Sequence, residues 1–63
     1  MNKKRIMEQI LKIRDSGETN MLDWERVQNI AFNKGMFELV VFIQEDRKGY
    51  ARIILLGKFE DES

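Results

Sequence analysis

The groups able to do chemistry in this chain are few: the hydroxyls of Ser16, Thr19 and Ser63, and the adjacent carboxylates of Glu45 and Asp46. A hydroxyl becomes a nucleophile when a positioned base, usually histidine, takes its proton. The chain has neither histidine nor cysteine, and its three hydroxyls fall near loops or at the terminus with no evident activator. Glu45 and Asp46 have the chemistry for acid and base work, but as sequence neighbours they point in different directions on a helix and read as a solvated turn or helix face. The four glycines make no phosphate-cradling G-x-G-x-x-G or P-loop pattern; they stand as punctuation between elements. Without Cys or His, and without acids gathered at calcium or magnesium spacing, no metal or cofactor is expected. The expectation is a protein that is not an enzyme and has no catalytic, cofactor-binding or metal-binding residues.

The elements that must position any other kind of site are short. A chain of 63 residues has room for one small domain over 1–63, burying only about 60% of the surface its unfolded form exposes. No disulfide or zinc site is available to staple it, which leaves self-association as the route to extra stability. Eleven Lys plus Arg balance eleven Asp plus Glu, so no global attraction to nucleic acid or an anionic membrane is expected. Charged residues interrupt the apolar positions of residues 6–13, which argues against a secretory signal, and no apolar run approaches the roughly 20 residues that span a bilayer. A cytoplasmic location follows as the expectation.

Ile6, Met7, Ile10, Leu11 and Ile13 recur at helical spacing between charged residues, predicting an amphipathic helix over about 2–16 that stops at Gly17. Asp23 is a good N-cap for a second helix, 23–34, with Val27, Ile30, Ala31 and Trp24 as its inward stripe and Gly35 after its end. Residues 36–57 admit two readings. Val40 to Ile43, Ile53 and Ile54 favour strands, and "EDRKG" suits a hairpin loop, which gives an α+β fold with a C-terminal β-hairpin (37–44, 50–58). Alternatively Met36, Leu39, Val40, Ile43, Arg47, Tyr50 and Ile54 line up at spacings of three and four, which gives one long helix, 36–56, kinked at Gly49, where glycine costs about 1 kcal/mol. The acidic tail, 59–63, is expected to fray.

"GETNMLDWERVQNIAFNKGMFELVVFIQEDRKGYARIILLG", residues 17–57, resembles an uncharacterised family of short proteins from phages and prophage-bearing Gram-positive bacteria. The likeness rests on "TNMLD", on Val27, Gln28, Ala31 and Gly35, on "ELV.FI" at Glu38 to Ile43, and on "RK.YA..I" running to Gly57. It covers about two-thirds of the chain and implies context rather than chemistry. It also implies a charged residue where this chain has Gly49, which favours the helical reading: an all-α fold of three helices.

Function then rests on surfaces. Trp24, Phe32, Phe37, Phe42, Tyr50 and Phe59, with four methionines, exceed what one three-helix core can hold. Val40 to Ile43 clothe every side of the third helix, a pattern of burial all round. A homodimer through Val40, Val41, Phe42, Tyr50, Ile53 and Ile54 is the expectation, with two-fold symmetry. Asn20, Met21, Trp24 and Arg47 are the candidate partner-facing residues, although a polar loop and a Trp at a helix start serve equally as structural caps. The function expected from the resemblance is a phage-associated protein-binding module that inhibits or modulates a host protein, such as a defence factor, in the bacterial host cell. The alternative is a small DNA-binding regulator presenting Arg26, Gln28, Asn29, Asn33 and Lys34 from the second helix, or the basic face of the first. Asp23 and Glu25 at the end that would approach the bases argue against it.

Overall fold

The computed structural model describes residues 2–57, and their regular structure is four helices: α1 (Lys3–Ser16), α2 (Trp24–Asn33), α3 (Phe37–Glu45) and α4 (Arg47–Leu56). The first two elements lie where local signals place them. Asn2 caps α1 by accepting from the Arg5 N–H at 3.0 Å, and Gly17, at φ 67°, closes its end in the left-handed conformation that glycine adopts without a Cβ penalty. Asp23 caps α2 through the Arg26 N–H.

The expected third helix is two helices. The break falls at Asp46, three residues before the expected kink at Gly49. Asp46 has φ −147° and ψ 71°, outside the helical region. Its N–H still bonds the Phe42 carbonyl at 2.8 Å, closing α3, while its own carbonyl accepts from the Tyr50 N–H at 3.0 Å, opening α4. Its carboxylate accepts from the Gly49 N–H at 2.9 Å, so one residue ends a helix and caps the next. Gly49 is not a weak point in the middle of a helix. It sits in the first turn of α4, where a Cβ would collide with the Asp46 carboxylate. The hairpin is likewise replaced: 37–44 and 50–56 are helical, and among the described residues there is no strand. The acidic tail at 59–63, and residue 58 of the hairpin alternative, lie outside the described residues.

The core gathers one stripe from each helix: Ile6, Ile10 and Ile13 from α1, Val27 and Ala31 from α2, Leu39, Phe42 and Ile43 from α3, and Tyr50 and Ile53 from α4. Each large member contributes about 1.5–3 kcal/mol of transfer free energy, whereas an exposed ion pair such as Arg5–Glu38 contributes about 1 kcal/mol or less. Packing, then, determines the fold. Trp24 and Ile30, expected inside, are half-buried against this core.

One polar side chain is buried with it. Gln9 accepts from the Leu39 N–H at 3.1 Å through Oε1 and donates from Nε2 to Glu38 at 3.0 Å. Helix α3 begins after Met36 with no side-chain cap of its own, so a residue of α1 satisfies its third amide.

Candidate partner-binding face

The break at Asp46 places Arg47 at the start of α4, and α2 runs antiparallel to α3, so the start of α2 meets that same end. The Arg47 guanidinium lies 4.5 Å from the centroid of the Trp24 ring, within cation–π range. Trp24 anchors its inner edge on the core. Beside the pair opens a concavity of about 500 Å³ lined by Trp24, Gln44, Glu45, Asp46, Arg47 and Lys48.

Behind this face the loop from α1 to α2 is fixed by two contacts. The Asn20 side chain accepts from the Leu22 N–H at 2.9 Å, shaping a local turn. Tyr50 donates its hydroxyl proton to the Met21 carbonyl at 2.6 Å, and its burial pushes the phenol pKa up from the ordinary 10.0, because an apolar site disfavours the phenolate. Of the four expected partner-facing residues, Trp24 and Arg47 therefore touch each other. Met21 holds the loop through its backbone, and Asn20 is engaged in the turn.

The expected dimer residues separate. Phe42, Tyr50 and Ile53 lie inside the monomer's own core; Val40 and Ile54 are half-buried against it; Val41 alone of the six is exposed. The residues of the DNA-binding alternative separate too. Gln28 donates to the Val40 carbonyl at 3.2 Å and so bridges α2 to α3. Arg26 and Asn29 share a shallow concavity with Asp23 and Glu25, and Lys34 lies 3.6 Å from Glu18. On the α1 side a second groove, about 420 Å³, carries Lys4, Arg5, Lys12 and Lys34 against Glu8.

Among the hydroxyls, Ser16 lies 2.6 Å from the Ile13 carbonyl and accepts from the Glu18 N–H, finishing α1. Among the described residues no group of His, Cys, Asp or Glu is gathered to hold a metal ion, and no helix is long and apolar enough to cross a membrane.

The fold and this face define a small all-helical domain whose most distinctive surface feature is an aromatic–guanidinium contact at a helix joint. Residues 1–58 match the family described as a domain of unknown function, DUF5049, and the chain belongs to that family. No curated protein and no solved structure matches it.

Sequence reasoning missed the partnership of Gln9 with α3 and the contact between the Phe32 and Phe37 rings, 5.6 Å apart and edge to face. Both join residues on different helices. The only available signal was a glutamine on the apolar side of α1 and two phenylalanines flanking "NKGM".

Proposed function

We propose that this protein is a non-enzymatic protein-binding module of phage or prophage origin. In this reading it acts as a homodimer in the cytoplasm of a Gram-positive bacterial host and inhibits or modulates a host protein, such as a defence factor. The observation that carries the binding reading is the Arg47 guanidinium over the Trp24 ring beside an open concavity. Trp and Arg are the side chains enriched at the energetic centres of protein interfaces. Here the two are in contact in the free chain, which favours binding by reducing the side-chain freedom to be lost when a partner docks. Origin and target class rest on the family resemblance of residues 17–57.

The test is affinity capture of the tagged chain from a lysate of its bacterial host at moderate salt, read by mass spectrometry, beside the Trp24→Ala and Arg47→Ala variants. Capture of one stoichiometric host protein by the parent, lost in variants that melt as the parent does, is the expected result. Recovery of the bait alone, or capture indifferent to both substitutions, overturns it.

The α1 groove favours a second reading, a small DNA-binding regulator: four cations line it, and although Arg5 and Lys34 are paired with Glu38 and Glu18, Lys4 and Lys12 supply local positive charge of the kind that phosphate contacts need. A salt-dependent shift of duplex DNA at micromolar protein, abolished by Lys4→Glu with Lys12→Glu, supports this alternative. No shift at low salt removes it.

A further inference from the structure

We infer that the homodimer of the proposed function, a reading on which this inference rests, forms by exchange of α4: the joint at Asp46 opens into one continuous helix over 37–56, and α4 of each copy docks on α2 and α3 of the other. Between Phe37 and Leu56 the one residue outside helical geometry is Asp46. A hinge this short between packed elements is a low-cost route to exchange. Every pair among α1, α2 and α3 is in contact, whereas α4 packs on α2 and α3 and not on α1. The first three helices therefore hold together when the fourth leaves.

Backbone bonding at the joint favours opening. Among the described residues two backbone bonds cross it, from the Asp46 N–H to the Phe42 carbonyl and from the Tyr50 N–H to the Asp46 carbonyl. In a continuous helix each N–H bonds the carbonyl four residues back, which adds Arg47 to Ile43, Lys48 to Gln44 and Gly49 to Glu45. The closed form has in their place a single bond, from the Gly49 N–H to the Asp46 carboxylate. Leu39, Ile43, Tyr50 and Ile54 keep helical spacing through the joint, so the straightened helix carries one apolar stripe.

The vacated site selects its occupant. Tyr50 and Ile53 are buried in the core, and the Tyr50 hydroxyl donates to the Met21 carbonyl at 2.6 Å. A site of that shape and polarity is complementary to the same segment of a second copy, which restores each of those contacts between chains.

Charge at the crossing also suits a second copy. Glu45, Asp46, Arg47 and Lys48 are consecutive and exposed, and among the described residues none of the four is in an ion pair. Glu45 and Lys48, three apart, share one face of the continuous helix. Where two such helices cross antiparallel on a two-fold axis, Glu45 of each faces Lys48 of the other. Arg47 belongs to the exchanged segment. Each Trp24–Arg47 face of the dimer thus takes its indole from one copy and its guanidinium from the other.

The deciding experiment combines sedimentation equilibrium of the full chain, from low micromolar to near-millimolar concentration, with isotope-filtered NMR of a dimer refolded from labelled and unlabelled chains. Asp46→Ala and Asp46→Asn are compared with the parent. The parent is expected to pass from the mass of one chain to that of two, with contacts between the single tyrosine and Met21 appearing between chains. Alanine removes the cap of the closed form twice per dimer and suits the open helix, so Asp46→Ala should dissociate at a concentration at least about tenfold lower. Asparagine caps as well as aspartate and should associate as the parent does. Should Asp46→Ala fail to fold, the Tyr50–Met21 contacts of the parent decide alone. A dimer whose Tyr50–Met21 contacts all lie within one chain overturns the exchange and leaves the homodimer standing. Asp46→Ala associating no more tightly than Asp46→Asn overturns the exchange as well. A one-chain mass for the parent at every concentration removes exchange and dimer together, and a monomer that still captures a host protein through Trp24 keeps the binding function.

Discussion

Gln9 and Leu39 are 30 residues apart, yet the side chain of the first completes the helix that contains the second. The Gln9 Oε1 takes the Leu39 N–H as a capping Ser or Asp would, while its Nε2 steadies the Glu38 carboxylate. Because Gln9 is buried, removing its amide strands an interior N–H away from water. Gln9→Leu keeps the volume and deletes both hydrogen bonds, so it should destabilise the fold by about 1–3 kcal/mol. Urea denaturation followed by circular dichroism measures this. An unchanged midpoint would mean that water replaces the amide.

Glu38 carries the pH signature of that cluster. The hydrogen bond from Gln9, then its own backbone amide and the Arg5 guanidinium, hold its carboxyl below the ordinary 4.5. A carboxylate with a depressed folded-state pKa adds stability that is present above the unfolded value and disappears as pH falls through the folded one. The melting temperature should therefore decline on acidification below about pH 4.5. Glu38→Gln should flatten this decline relative to the parent, and parallel slopes in the two proteins would remove Glu38 as a contributor.

Asp46 makes a different prediction, because it caps one helix at the cost of interrupting another. Asp46→Ala loses the bond to the Gly49 amide and should cost about 1 kcal/mol. Alanine is the strongest helix former, so the far-ultraviolet helical signal should hold or increase while stability falls. A fall in both would show that the aspartate sustains α4 itself.

At the alkaline end Tyr50 is the group to watch. Its phenol pKa is raised by burial, so the folded chain keeps a proton that the unfolded chain releases near pH 10. The stability it contributes is present below that pH and is lost as pH rises further. Tyr50→Phe should lose about 1 kcal/mol at neutral pH through the bond to the Met21 carbonyl. It should also lack the parent's share of alkaline destabilisation. Absorbance titration of the single tyrosine in folded and denatured protein gives the displacement directly.

The parts of this architecture that were legible in the sequence are those encoded over a few residues. Gly17, Asp23 and Gly35 mark the ends of α1 and α2 by local backbone chemistry, and the apolar spacing of Ile6, Ile10 and Ile13 forecasts their burial. The division of the third segment was hidden because Leu39, Ile43, Tyr50 and Ile54 keep helical spacing straight through the joint. Asp46 has the chemistry of an N-cap, but Gly49, three residues later, drew the expected kink to itself. Trp24 and Arg47 were recognisable one at a time as contact residues. Their pairing depends on how α4 leaves α3, which no local pattern specifies. Phe42, Tyr50 and Ile53 were expected at a dimer interface because one unbroken helix has no way to turn all its apolar sides inward, whereas two helices set at an angle bury them in one chain.

The joint between α3 and α4 is one residue long, and this makes it a phase setting between two screws. Adding one residue after Asp46 would rotate everything downstream by about 100°. Tyr50 would leave Met21, Ile53 would turn from the core, and Arg47 would swing off the indole. Adding seven would come close to restoring the phase, but it would carry α4 about 10 Å along its axis. The chain length at this point is therefore constrained more tightly than the side chains around it, and homologous proteins that keep this face should differ here by substitution and not by insertion.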